Sequence, residues 1–192
     1  MNWTKITYAG YIIVFLMFIG ITLAVPILSF ENDMTVAYDV FGPLCHQKLS
    51  RSFCVFQEEG SMWIDNCSPQ DGQFINSNID RELIKVIKGD AIGFKMPLCS
   101  RDMGLYGAML LAGLIYPFVR KLEDKTLYPS IFLIVALVPI GLDGGVQIIS
   151  ELGLFPIVYE STNIIRLATG TIAGFAATFY ALPLLINMVS KE

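Results

Sequence analysis

Residues 11–30 read YIIVFLMFIGITLAVPILSF, twenty positions without a charge. Two kinds of segment look like this: the apolar core of a cleaved signal peptide, about 7–15 residues long, and a membrane span of about 20. The run from Tyr11 to Phe30 is too long for the first, so it is read as a retained span. Three further apolar stretches follow: Met103 to Val119, Leu127 to Ile149 and Ile164 to Val189. Four such stretches in 192 residues leave too little polar sequence to cover them as buried core helices. Composition agrees, with 54% hydrophobic and 16% charged residues, where a soluble domain carries roughly 25% charge. The expectation is an all-α membrane protein, one domain over residues 1–192, with four transmembrane helices.

Orientation follows from Lys and Arg in the short segments, which favour the cytoplasmic side. Lys5, the trio Arg120, Lys121 and Lys125, and Lys191 fall on one side of a four-span chain, whereas Ser150 to Asn163 carries none. Both termini are therefore expected in the cytoplasm of a multi-pass cell-membrane protein. The 31–98 loop between the first two spans is then extracytoplasmic. It is too long for a plain connection and reads as a small folded cap of short helices and a β-hairpin. Val36 to Ser50 reads as a continuation of the first helix, interrupted at Gly42-Pro43. Phe53 to Gln57 and Ser61 to Asn66 flank Glu58-Glu59-Gly60 as a hairpin. Asp80 to Lys88 reads as a short amphipathic helix, with Ile79, Leu83, Val86 and Ile87 on one face and Gly89 at its end.

Within the spans, Asp143 and Gln147 lie four residues apart on one helical face. Asp143 sits about 24 Å along from Leu127 at the helical rise, near the outer boundary. Asn163, Arg166, Gly170 and Gly174 step by three and four along the last span. Gly170 and Gly174 form a pair of the kind that lets another helix approach closely. Cys99, Asp102 and Tyr106 form a similar stripe at the start of the second span. Ionisable groups at membrane depth face protein or a wet cavity. One reading is a structural Asp143–Arg166 pair that fixes helix packing; the other makes the pair part of a site. The net charge of −4 and the lack of a basic run argue against nucleic acid. The expected partners are membrane lipid, a second copy of the chain or another membrane protein.

The chain has one histidine and four cysteines, all between Cys45 and Cys99. Cys54 and Cys67 lie at the open ends of the expected hairpin, so a disulfide between them is expected on an oxidising side of the membrane. A second disulfide, Cys45–Cys99, would tie the loop to the second span.

Cys45-His46-Gln47 followed by Arg51-Ser52-Phe53 resembles the opening motif of a prokaryotic membrane family catalogued as domain of unknown function 2085. Residues Pro97-Leu98-Cys99-Ser100-Arg101-Asp102 through Gly107 resemble its second motif, and Pro139 through Asp143-Gly144 to Gln147 its third. Glu160-Ser161-Thr162-Asn163 with Arg166, Thr169 and Gly170 resembles its fourth. In that family the second motif usually reads Pro-Leu-Cys-Ala-Arg-Cys, and Cys-His plus Cys-x-x-Cys looks like a metal ligand set. This chain keeps Cys99 and carries Asp102 in place of the second cysteine. Zinc accepts Cys, His and carboxylate ligands, so the resemblance implies a zinc set of Cys45, His46, Cys99 and Asp102, as an alternative to the Cys45–Cys99 disulfide. The family brings no established activity with it.

Two classes of function follow. The first is a membrane enzyme with one polar pocket at the outer boundary. Asp143 and Glu160 would serve as acid and base, with His46 as a second base or metal ligand. Arg166 or Arg101 would hold an anionic group such as a lipid phosphate, with Arg51, Gln147 and Asn163 lining the pocket. The second is a binding, transport-associated or assembly module whose polar network is structural. A thiol oxidoreductase needs a reactive pair of the Cys-x-x-Cys type, and the sequence has none.

Overall fold

A computed structural model describes residues 3–45, 48–67, 84–154 and 159–189. Five helices and a small sheet make up the described chain: α1 (Trp3–Leu28), α2 (Thr35–Phe41), α3 (Ser100–Val119), α4 (Ser130–Glu151) and α5 (Asn163–Val189), with β1 (Phe53–Glu58), β2 (Ser61–Asn66), β3 (Lys85–Lys88) and β4 (Ala91–Lys95). Of these, α1, α3, α4 and α5 are each long and apolar enough to cross a membrane. Each contains a proline, at Pro26, Pro117, Pro139 and Pro183, which helices in lipid tolerate when neighbours satisfy the freed backbone groups. The chain divides into two compact units, Met1–Ile19 with Met103–Glu192, and Gly20–Asp102.

The helical unit is apolar outside and polar inside. On α4, Ile131, Phe132, Ile134, Val135 and Leu142 are exposed, whereas Asp143 and Gln147 are buried. On α5, Asn163, Arg166, Thr169 and Thr178 are buried while Ile164, Ile172 and Leu184 are exposed. That is the pattern expected where the surrounding solvent is hydrocarbon and only helix–helix contacts can satisfy polar groups. Small residues bring α3 against α5: a Cβ added to Gly174 would overlap the carbonyl of Leu105, and one added to Gly104 the carbonyl of Leu167. About one turn further along the same helices, the Tyr11 hydroxyl pairs with Thr178 Oγ1 at 2.9 Å and donates to the Met109 carbonyl at 3.3 Å. Tyr8 donates to the Gly113 carbonyl at 3.1 Å. These hydroxyls join α1, α3 and α5 around Tyr11, Tyr116 and Leu182.

The second unit holds a four-stranded antiparallel sheet of order β2-β1-β4-β3. The expected hairpin is β1–β2, closed by Glu59-Gly60 between paired Glu58 and Ser61. Both loop residues have positive φ, 46° and 84°, the requirement of the tight turn whose twist matches the strands. Cys54 and Cys67 are bonded to each other, as the hairpin reading expects. Cys54 and Phe56 turn inward onto Leu49 and Ala91, and the Phe56 ring lies over Gly93, where a Cβ would come within 2.5 Å of it.

Two local expectations are corrected. Of the described part of the expected amphipathic helix, residues 84–88, Lys85–Lys88 form strand β3 of a second hairpin with β4; residues 80–83 lie outside the described residues. Gly89-Asp90 closes that hairpin between paired Lys88 and Ala91, with Gly89 at φ 62°. The ladder offered by β4 outweighs a local helical spacing that only four residues would carry. Nor does the first helix continue into residues 36–50. It ends at Leu28, and α2 begins afresh at Thr35, where Asp33 Oδ1 accepts the Thr35 backbone N–H at 3.0 Å. The expected interruption at Gly42-Pro43 does end α2. Tyr38 of α2 then anchors to the sheet by donating to the Lys95 carbonyl at 2.6 Å.

Candidate metal centre

The sheet and the start of α3 set three soft or anionic donors against one another. β4 runs into Met96, whose N–H donates to the Phe53 carbonyl at 2.8 Å. This fixes the chain just before Cys99. Ser100 is fully buried and donates its hydroxyl to the Arg51 carbonyl at 3.2 Å, which holds the first turn of α3 against the 3-10 turn Leu49–Arg51. Cys45, reached through the turn that follows α2, lies opposite. The Cys99 backbone N–H donates to Cys45 Sγ at 3.2 Å. The Cys99 thiol donates to Asp102 Oδ2 at 3.0 Å, across the i,i+3 spacing of the first helical turn.

Cys45 Sγ, Cys99 Sγ and an Asp102 carboxylate oxygen all lie within 4.8 Å of one another. Cys45 and Cys99 stand as thiols, not as a disulfide. Electrostatics in the cluster oppose ionisation. The hydrogen-bonded Cys45 sulfur, then burial, then the charge of Asp102 push the Cys99 thiol well above its ordinary range. Crowded donors whose charged forms repel one another are what a divalent cation neutralises. A tetrahedral zinc with bonds of about 2.3 Å to sulfur holds its ligand atoms about 3.7 Å apart. Cys99 Sγ and Asp102 Oδ2, 3.0 Å apart, would part slightly and the wider separations, none beyond 4.8 Å, would close slightly to take up that geometry, so the donor set suits a soft divalent ion. His46, the fourth member of the expected set, lies outside the described residues.

Other expected site residues gather in the helical unit. Arg166, 2% exposed, donates from Nη2 to Gln147 Oε1 at 3.0 Å and lies 3.6 Å from Glu160 Oε1. Gln147 in turn donates to Glu151 at 3.2 Å. Asp143 accepts the Tyr159 hydroxyl at 3.0 Å, and the Tyr159 backbone N–H donates to Ser150 Oγ at 2.7 Å. Asn163 is buried at the start of α5. Spacing along helices had marked Asp143, Gln147, Asn163 and Arg166. Tyr159 and Glu151 were missed, because Tyr159 sits in a connection and Glu151 at a helix end, where periodicity carries no signal. Arg51 and Arg101 fall in the second unit, half-buried in the 3-10 turn and in the first turn of α3.

Membrane-length helices that turn polar groups inward, joined to a disulfide-stapled sheet, define a polytopic membrane protein. The chain belongs to the family described as predicted membrane protein (DUF2085), whose model matches residues 91–180. Cys99, Asp102 and the α4–α5 cluster fall inside the matched residues, and Cys45 outside. The chain is 32% identical over 155 residues to an uncharacterised protein of Methanocaldococcus jannaschii, covering 81% of this chain and 72% of that relative. No solved structure matches the chain.

Proposed function

We propose that this membrane protein holds a divalent metal ion, zinc first among candidates, at Cys45, Cys99 and Asp102. His46, adjacent to Cys45 in the chain, would be the fourth ligand. The observation that carries the reading is the convergence of two thiols and a carboxylate within 4.8 Å. Soft thiolates select zinc and similar ions over magnesium or calcium. Three protein ligands leave a coordination position for substrate or water, whereas four close the site around a structural ion; loss of His46 therefore decides between a reactive and a structural centre. By the distribution of Lys and Arg, the metal centre and the sheet lie on the extracytoplasmic side as a cap, and both termini are cytoplasmic.

A second reading is supported by the α4–α5 cluster. Asp143 and Glu160 would act as acid and base on an anionic substrate such as a lipid headgroup, held by Arg166, Gln147 and Asn163. Buried ionisable groups at membrane depth are the motive.

Elemental analysis of the full chain, purified in detergent without chelator, tests the first reading. About one zinc per chain is expected, lost in Cys99→Ser and in Asp102→Asn. A metal-free protein, or a Cys45–Cys99 linked peptide under non-reducing mass spectrometry, overturns it.

A further inference from the structure

Away from both clusters, the end of α3, the start of α4 and the middle of α5 line an open groove of about 430 Å³. That is within the size of small-molecule sites, about 300–1,000 Å³. Its walls are Val119 at the end of α3, Tyr128 and Phe132 where α4 begins, and Phe175, Ala176 and Phe179 on α5. The walls are held in place. Tyr180 donates its hydroxyl to the Pro129 carbonyl at 2.8 Å. The Tyr128 and Phe179 rings meet edge to face at 6.4 Å, and Phe175 and Phe179 pack at 5.7 Å. The Arg120 guanidinium lies 5.0 Å over the Tyr128 ring, while Arg120 Nε bonds Asp124 Oδ2 at 2.9 Å.

We propose that this groove binds the acyl chain of an anionic phospholipid, with the headgroup phosphate met by the basic segment that follows Val119. Two observations choose this occupant. The groove sits where α3 ends and α4 begins, so its apolar walls lie at membrane depth while its mouth lies at the polar boundary. Aromatic side chains collect at that level. The mouth also carries charge of the matching sign. In the ten residues 120–129 the cations are Arg120, Lys121 and Lys125, against Glu123 and Asp124. The Arg120–Asp124 pair is satisfied internally. Lys121 and Lys125 are exposed, and basic residues beside a membrane surface attract anionic lipid. Glu123 offsets one of them, so the surplus is a single charge: enough for preference among phospholipids, not for capture of a free phosphate without its chain.

The test uses the full chain in vesicles of equal phosphatidylcholine and phosphatidylglycerol, followed by native mass spectrometry after release into detergent. Wild type is expected to retain phosphatidylglycerol in preference to phosphatidylcholine. Ala176→Trp and Val119→Trp fill the groove from a half-buried and an exposed position and should lose the retained lipid. Ile172→Trp, exposed on α5 outside the groove, should keep it. The double variant Lys121→Glu with Lys125→Glu should retain lipid and lose the preference. Equal retention by wild type and both groove variants overturns the proposal. So does a wild-type dimer that Val119→Trp dissociates, which would make a second copy the occupant. A folded Val119→Trp, checked by helical circular dichroism, keeps the result readable if Ala176→Trp does not fold.

Discussion

Cys99 makes opposite hydrogen bonds with its two neighbours: its backbone N–H donates to Cys45 Sγ at 3.2 Å, and its thiol donates to Asp102 at 3.0 Å. The two cysteines differ as a result. Cys45 Sγ is an acceptor facing the start of α3 and Cys99 Sγ a donor to Asp102; both thiols give up a proton on binding a cation. A metal bound here links the turn after α2 to α3 across a sequence separation of 54. Anything that binds the folded chain alone adds to its stability, about 2.7 kcal/mol at a hundredfold excess over Kd. A zinc chelator is expected to lower the melting temperature of wild type and to leave Cys99→Ser unmoved. An equal, null response of both proteins would count against the centre.

Cys54–Cys67 closes a loop with sequence separation 13. Loops of that size gain about 3 kcal/mol from a disulfide in the chain-entropy account. The double variant Cys54→Ala with Cys67→Ala is expected to unfold the sheet at lower temperature, read as loss of Trp63 fluorescence change with the main transition. Retention of the wild-type midpoint would show that the core of Leu49, Phe56 and Ala91 suffices alone.

Much of this architecture was legible because it rests on strong local signals. The spans came from length and hydropathy. The β1–β2 hairpin came from alternation around Glu58-Glu59-Gly60, and that hairpin then placed Cys54 near Cys67. The second hairpin was hidden by its own spacing: Ile79, Leu83, Val86 and Ile87 fit a helical face, and periodicity in a short apolar run does not separate helix from strand. Only pairing with Ala91–Lys95 decides it. In the site, the Cys99–Asp102 contact follows from helical spacing, but its meeting with Cys45 depends on tertiary structure 54 positions away. Helical spacing pairs Arg166 with Asp143 and sets Gln147 nearby; the guanidinium bonds Gln147 at 3.0 Å and lies 3.6 Å from Glu160, which sits in a connection where spacing carries no signal.

Asp65 gives the sheet a measurable acid sensitivity. The Lys88 ammonium, which bonds its carboxylate, and then the Asn66 backbone N–H hold Asp65 below the usual carboxylate range. A folded-state pKa below the unfolded value of about 3.9 means the contribution is complete at neutral pH and is lost as pH falls through the folded value. The Asp65 side chain is 39% exposed, so solvent screening keeps the pair under about 1 kcal/mol. Asp65→Asn is expected to shift the midpoint slightly at pH 7 and not at all near pH 2. A larger deficit in acid than at neutral pH would reverse the assignment.

Arg166 is the most costly group in the helical unit to leave without its acceptors, being 2% exposed. Gln147→Leu removes the acceptor at 3.0 Å and is expected to cost about 1–3 kcal/mol. Glu160→Gln should cost less, because its carboxylate is 23% exposed and lies at 3.6 Å. Denaturation in detergent ranks the two. The reverse order would make Glu160, not Gln147, the group that holds the guanidinium.

The approach of α3 to α5 is tested by adding one methyl group at matched sites. In Gly174→Ala the new carbon overlaps the Leu105 carbonyl, and in Gly104→Ala it overlaps that of Leu167. Both obstacles are backbone atoms of a packed helix, so relief requires the helices to separate rather than a side chain to rotate. Separation would also loosen the Tyr11–Thr178 hydrogen bond, since Thr178 lies one turn beyond Gly174 and donates back to its carbonyl at 3.0 Å. Overpacking of this kind costs typically about 1–3 kcal/mol and sometimes more. Gly141→Ala makes the same chemical change within α4, where nothing lies within 4 Å of the new carbon. There the gain in helix propensity, roughly 0.5–1 kcal/mol, is unopposed. Gly174→Ala and Gly104→Ala should therefore lower the melting temperature in detergent while Gly141→Ala holds or raises it. If all three move together, the effect is general helix propensity and the close α3–α5 contact is not what holds the helices.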